Sequence, residues 1–312
     1  MLFFARRSFT ATVAGKKVGF LGLGNMGLPM ANNLKKAGFD VTGYDVGEKQ
    51  RQSAAEASLT VASSIADAVK DADFIITALP KTEHVESVLK QPQGIFDSAR
   101  KGAYICDVST ISPVASAEFN AEAAKRDLVF LDTPMSGGIT GAHAGTLTFM
   151  VGGEPEQFEH AKIVLAGMGK NFFHCGKPGS GEIAKLVNNL ILGINMIAAS
   201  EGLAIGEKLG MDPKILSAIC SVSTSRSWVM DTYNPRPGIK EASPASRNYE
   251  GGFQVSLIKK DLALALEAAR HGDASTEFTE KAIDYYRDLE KKGFGTKDFG
   301  FVFRYIMKNK KM

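Results

Sequence analysis

A chain of 312 residues with 44% hydrophobic and 23% charged side chains can bury a core in each of two domains, which excludes disordered, collagenous and low-complexity scaffolds. The formal charge of +3 gathers at the start: Arg6, Arg7, Lys16 and Lys17 precede the first acid, Asp40, and without them the chain is about neutral, so no nucleic-acid surface is indicated. Three scattered cysteines, Cys106, Cys175 and Cys220, form no CxxC and read as reduced thiols of a non-secretory compartment.

Residues 1–16, MLFFARRSFTATVAGK, combine an apolar start, two arginines and several hydroxyls with no acid. That is the composition of a mitochondrial presequence, so the mature protein is expected in the matrix. Arg6 and Arg7 interrupt the only candidate secretory h-region.

From residue 17 to 176 short apolar runs alternate with amphipathic stretches. KVGFLG (17–22), DVTGYD (40–45), FIITAL (74–79), AYICDV (103–108) and LVFLD (128–132) read as strands, with helical patterns at 27–37, 48–57 and 113–125. The alternation predicts βαβ units and a doubly wound, Rossmann-type parallel sheet over 17–176. TLTFMVGG (146–153) and FFHCG (172–176), bracketing a helical pattern at 155–166, are two further runs able to extend it.

After residue 176 the strand patterns stop. The stretch 177–210 is one long helical pattern, apolar on more than one face, which places it between domains or subunits. Asn188, Asn189, Asn195, Ser200 and Glu201 interrupt it, so it is not read as a membrane span. Helical patterns follow at 213–220, 255–271, 276–291 and 299–308, so an all-helical domain for substrate binding and oligomerisation is expected over 177–312. Such apolar helices predict a homodimer or homotetramer.

Gly22-Leu23-Gly24-Asn25-Met26-Gly27 is GxGxxG, directly after a strand and opening a helix. Gly22 permits the tight turn, Gly24 lets backbone approach a pyrophosphate, and Gly27 lets the helix lie on its strand with its N-terminus facing the phosphates. Asp45, 18 residues on at the end of the second strand, can accept hydrogen bonds from the adenosine ribose and would repel a 2′-phosphate. No arginine follows before Arg51, so NAD is favoured over NADP.

GLGNMGLPM (22–30) resembles the opening motif of the β-hydroxyacid dehydrogenases, and the likeness runs on over residues 17–308. DTPMSGG (132–138) resembles that family's substrate loop, GSGEIAKLVNN (179–189) its catalytic helix, and KDLALAL (260–266) its third motif. The resemblance implies that Ser136, Gly137 and Gly138 bind the substrate carboxylate, that Lys185 is the general acid/base, and that Asn189 is a catalytic and substrate-binding residue. It also implies cofactor contacts from Leu79, Pro80, His84, Thr110 and Lys260; His84 stands where an asparagine is usual, and either side chain can hydrogen-bond. Within the family, SWVMDTYNPRPGI (227–239) and NYEGGF (248–253) look most like the mitochondrial members that oxidise 3-hydroxyisobutyrate to methylmalonate semialdehyde in valine breakdown.

Oxidising an alcohol needs removal of hydride and of the hydroxyl proton. Lys185 on an apolar helix beside bound cofactor would be desolvated, its pKa lowered toward a base's range. Asn189, four residues on, projects from the same helix face. His143, His160, His174 and His271 have no metal-ligand spacing, and no metal is expected. Two rivals share the fold: an NADPH-dependent reductase of glyoxylate or succinic semialdehyde, against which Asp45 and the presequence count, and a cofactor-binding relative without chemistry, which could dispense with Lys185. The helical half is too short for a 6-phosphogluconate dehydrogenase. A small 3-hydroxy acid is therefore the expected ligand beside NAD, with neither nucleic acid nor membrane as partner.

Overall fold

The computed structural model describes Val13 and residues 15–309. The presequence expectation thus falls largely on residues 1–12 and 14, outside the described part. The chain divides into two compact units, Met1–Lys185 and Leu186–Met312.

In the first unit, strands β1 (Lys17–Leu21), β2 (Asp40–Tyr44), β3 (Thr60–Val61), β4 (Phe74–Thr77), β5 (Tyr104–Asp107) and β6 (Val129–Asp132) pair in parallel in the order β3-β2-β1-β4-β5-β6. This is the Rossmann-type arrangement that the alternation predicts. The central strand β4, FIIT, is buried along its whole length, as a parallel strand covered on both faces must be. The sheet extends beyond β6: β7 (Met135–Ser136) and β8 (Leu147–Gly152) pair antiparallel, β8 also meets β6 antiparallel, and β9 (Gly169–Gly176) runs parallel to β8. Both late apolar runs therefore join the same sheet.

The sequence reading missed β3 and β7, each two residues long, because a period-two alternation needs more residues to show. It also missed the short helices Ile65–Val69, Thr82–Lys90, Ile95–Ser98 and Gly138–Ala144. The helix Gly27–Ala37 stops at Gly38, whose φ of 102° closes it in the left-handed conformation, with Lys35 and Lys36 in its last turn. Helix Pro155–Leu165 opens on a capping box between Glu154 and Gln157.

One helix, Ser180–Lys208, runs through the division between the units. Among the described residues it is the one helix long and apolar enough to cross a membrane by length and hydropathy, so those measures alone do not exclude a span as the polar residues were expected to. Its polar residues Glu182, Lys185, Asn189 and Ser200 are buried within the protein, as in a core helix.

The described part of the second unit is built from helices, including Pro213–Val222, Val255–His271 and Glu277–Leu289, with an irregular run over 232–254 and one isolated bridge, Gln254 to Asp298. Its core gathers Met196, Ile258, Leu262, Ile283, Tyr286 and Phe299. The fully buried Tyr286 donates its hydroxyl to the Gly193 carbonyl at 3.0 Å, so its one polar atom is satisfied. Asp298, also buried, accepts from the Tyr233 hydroxyl and from the backbone N–H groups of Phe253 and Gly300, which ties the irregular run to the chain's last turns.

Candidate active site

The strand order reverses between β1 and β4, and the loops leaving these two strands carry most of the predicted cofactor contacts. Gly22, just past β1, has φ of 97°, and a Cβ there would overlap the Ala78 carbonyl beyond β4. A Cβ on Gly27 would overlap the Gly22 carbonyl and come within 3.2 Å of the Phe20 ring, so glycine lets the helix settle on the turn. Gly24 and Asn25 are exposed, and a Cβ on Gly24 would meet nothing within 4 Å. The helix that follows has Met26 at its cap, with no side-chain capping bond and no acid in its first turn. The Leu28 N–H donates to the Gly24 carbonyl at 3.1 Å and Pro29 has no N–H, so what suits a phosphate is a helix end that no side chain caps and no acid crowds. Leu23 is buried and packs into the core, so its part in the loop is to anchor it.

Asp45 lies against this loop. Its Oδ2 accepts the Leu23 N–H and its Oδ1 the Gly47 N–H, each at 2.7 Å, which fixes the carboxylate while leaving lone pairs for ribose hydroxyls. These features fit the dinucleotide the sequence implies. Arg51, which sequence distance had set aside, is brought to the same place: its Nη1 donates to the carbonyls of Asp45 at 2.7 Å and Val46 at 3.0 Å. One turn of helix Glu48–Glu56 folds it back.

Beyond β4, the Leu79 N–H donates to the Ser109 hydroxyl at 2.9 Å, which links the Leu79-Pro80 loop to the loop carrying Thr110. Ser109 in turn donates to Asp107, a fully buried carboxylate at the end of β5 that also accepts the Thr77 hydroxyl at 2.8 Å. Burial raises the Asp107 pKa to about 6, against the lowering effect of the Ser109 and Thr77 bonds. Thr110 is half-buried; His84 is exposed on helix Thr82–Lys90.

The expected substrate loop is only partly a loop. Ser136 lies in β7, in register with Thr148, because its backbone completes a ladder with β8. Gly137 and Gly138 are exposed with φ of 134° and 61°, opening helix Gly138–Ala144. At the root of this segment Asp132 accepts backbone N–H groups from Gly179 at 2.8 Å and Glu182 at 3.1 Å. Burial raises its pKa, and these bonds oppose the rise. Lys185 is buried in the helix so anchored, and Asn189, also buried, follows one turn later.

In the second unit Asn189 donates its amide to Asp261 Oδ2 at 2.6 Å, and the Lys260 Nζ stands 3.2 Å from Asp261 Oδ1. A carboxylate only accepts, so the amide nitrogen must face it and the Asn189 carbonyl oxygen points elsewhere. Asp261 and Asp132 were not singled out in the sequence. The one available signal was an acid inside an otherwise apolar run, FLD and KDLALAL.

Two family models match the chain: the NAD binding domain of 6-phosphogluconate dehydrogenase over residues 17–176, and the NAD-binding domain of NADP-dependent 3-hydroxyisobutyrate dehydrogenase over 179–306. A Dictyostelium discoideum protein named a probable mitochondrial 3-hydroxyisobutyrate dehydrogenase is 44% identical, covering 99% of this chain and 96% of its own. The NAD-dependent L-serine dehydrogenase of Pseudomonas aeruginosa is 42% identical over 92% of this chain and 96% of its own. Among solved structures, Mycobacterium tuberculosis 3-hydroxyisobutyrate dehydrogenase with L-serine is similar with a TM-score of 0.87 and 36% identity, covering 93% of this chain and 99% of that one.

Proposed function

The chain belongs to the 3-hydroxyisobutyrate dehydrogenase family of NAD-binding oxidoreductases, and from that premise we propose that it oxidises 3-hydroxyisobutyrate to methylmalonate semialdehyde with NAD, in the mitochondrial matrix, as a step of valine breakdown. The observation that carries the substrate reading is the near full-length likeness to the Dictyostelium protein. The acid-free, arginine-bearing start of the chain supports the compartment.

Bound NAD would supply the hydride acceptor. Gly22, Gly24, Asn25 and Gly27 would hold its pyrophosphate and Asp45 its adenosine ribose, with Leu79, Pro80, Thr110, His84 and Lys260 as further contacts. The neutral Lys185 amine takes the substrate's hydroxyl proton as hydride leaves the carbon; in reverse its ammonium returns the proton to the developing alkoxide. Asn189, its amide turned by Asp261, orients the reacting groups. Ser136, Gly137 and Gly138 bind the carboxylate.

Replacing Lys185 with Met keeps the stem and removes the base. Turnover should fall by about 10²–10⁴-fold while the protein stays folded and binds NAD. Lys185→Arg should fail as well, since a guanidinium does not release its proton near neutral pH. Near-normal turnover in Lys185→Met would move the base elsewhere.

A second reading has its own support: L-serine, also a 3-hydroxy acid, appears in the names of one relative and one solved structure. Steady-state kcat/KM for both compounds with NAD separates the two. A higher value for 3-hydroxyisobutyrate is expected, and a higher value for L-serine would replace the substrate named above.

A further inference from the structure

The helix that carries Lys185 begins in an unusual way. The residue before it, Gly179, has no side chain to cap the first N–H groups, yet Gly179, Gly181 and Glu182 are buried. The cap comes from 47 residues away. Asp132, 1% exposed at the end of β6, accepts the Gly179 N–H at 2.8 Å on one oxygen and the Glu182 N–H at 3.1 Å on the other. The chain is cut away around this carboxylate. A Cβ on Gly152, the register partner of Asp132 on β8, would overlap both carboxylate oxygens. A Cβ on Gly181 would lie 2.8 Å from Oδ2 and 3.0 Å from the Gly152 nitrogen.

A second tie leaves the same turn. Glu182, fully buried, accepts the Ile111 N–H at 3.2 Å, next to Thr110 on the loop after β5. The start of the helix is thereby fastened at once to the root of the Ser136–Gly137–Gly138 segment and to the loop that carries Thr110. Lys185 sits three residues beyond Glu182, about 4.5 Å along the axis, so any tilt or slide of that first turn reaches it directly.

We propose that Asp132, seated in this glycine-lined socket, is a positioning residue that sets where Lys185 stands relative to the substrate loop. The inference rests on the reading of Lys185 as the acid/base. In Asp132→Asn an amide nitrogen would replace one acceptor and face an N–H donor, so the first turn loses a charge-assisted bond and is pushed off its seat. Gly152→Ala would act on the same socket from the opposite wall, by displacing the carboxylate. In Asp132→Ala the socket is empty, and the methyl of Gly152→Ala then has room.

The test is steady-state kinetics and NAD affinity on Asp132→Asn, Asp132→Ala, Gly152→Ala and the Asp132→Ala/Gly152→Ala pair, with melting curves showing each folded at the assay temperature and Lys185→Met run in parallel. Displacement of a reacting group by an ångström can cost about 10²-fold, so kcat of Asp132→Asn should drop on that scale with NAD affinity held within about threefold. Gly152→Ala should lose kcat in the same direction. The pair should be no worse than Asp132→Ala alone, since both changes act through one contact. If Asp132→Asn and Gly152→Ala keep kcat within twofold while Lys185→Met is inactive, the positioning role is wrong and the base assignment stands. Multiplying losses in the pair also overturn it. Full turnover in Lys185→Met overturns the base assignment instead, whatever Asp132→Asn does. If Asp132→Asn does not fold, Gly152→Ala alone carries the comparison.

Discussion

In the cofactor site proposed above, the choice between NAD and NADP should come down to a few atoms around Asp45. Two backbone N–H groups hold the carboxylate at 2.7 Å each, so it cannot swing away from a 2′-phosphate. Each ribose hydroxyl bonded to it should contribute roughly 1.5–3 kcal/mol to NAD affinity. Arg51 changes what removal of the acid should do. Its guanidinium already lies on the carbonyls of Asp45 and Val46, and it becomes the uncompensated charge once Asp45 is gone. Asp45→Ser is expected to lose NAD affinity and gain use of NADP, and Asp45→Ser/Arg51→Ala to lose that gain. Ratios of kcat/KM for the two cofactors decide it. Comparable use of NAD and NADP by the unaltered enzyme would end this account of Asp45, and an unchanged gain in the double variant would clear Arg51 of any part.

At the scale of strands and helices, what the sequence revealed was what is local in it. The turn at Gly22 and the acid at Asp45 lie within one βαβ unit, where spacing carries the geometry. The ties from Asp132 to Gly179 and from Asn189 to Asp261 span 47 and 72 residues, so no local pattern encodes them. Arg51 shows the opposite error, because a helical turn cancels six residues of sequence distance. The N-terminal side extends the same lesson. Val13 is fully buried with the Val18 and Phe74 cluster, and its carbonyl accepts the Lys16 N–H at 3.0 Å. On the matrix location proposed above, import processing should therefore cut before Val13, earlier than a boundary at residue 16. N-terminal sequencing of the protein recovered from mitochondria tests this; a mature chain starting at Lys16 or Lys17 would contradict it.

Strand ends also set a pH dependence. Asp107, at the end of β5, has its pKa raised by burial to about 6, above the ordinary value near 3.9. The native state therefore holds a proton that the unfolded chain has released between these values, so this group's contribution to stability is complete below pH 4 and is lost as pH rises through 6. Its Oδ2 has no hydrogen-bond partner, and an uncharged amide there costs less than a buried charge. Asp107→Asn should raise Tm at pH 7–8, by up to roughly 3 kcal/mol of stability, and leave it unchanged near pH 4. Melting curves across pH 4–8 are the check, and a Tm that falls equally at every pH would show that hydrogen-bond geometry outweighs the charge.

For the molecule as a whole, the second unit presents more apolar surface than a monomer needs. Gly206 on helix Ser180–Lys208 makes room for Leu216 on helix Pro213–Val222, so the two close as a helical hairpin. That hairpin leaves Ile205, Leu209, Met211, Ile215, Ile219 and Val222 exposed, with Leu209 and Val222 more than 80% open. Ile215, Ile219 and Val222 recur at helical spacing, which makes a stripe instead of scattered exposures. Clustered apolar side chains of this kind mark association surfaces, and most soluble oligomers are symmetric assemblies of one chain, so a second copy of itself is the expected occupant. The protein should be a homodimer or homotetramer at micromolar concentration by light scattering coupled to size exclusion. Ile215→Glu with Ile219→Glu would place two carboxylates in the buried contact, at several kcal/mol, and shift the population toward monomer. The same pair should leave the folded content of each chain unchanged, because both side chains lie outside the core that packs around Ile258 and Tyr286. A monomeric unaltered protein would remove the self-association reading, and an oligomer that survives the two charges would move the interface off this hairpin.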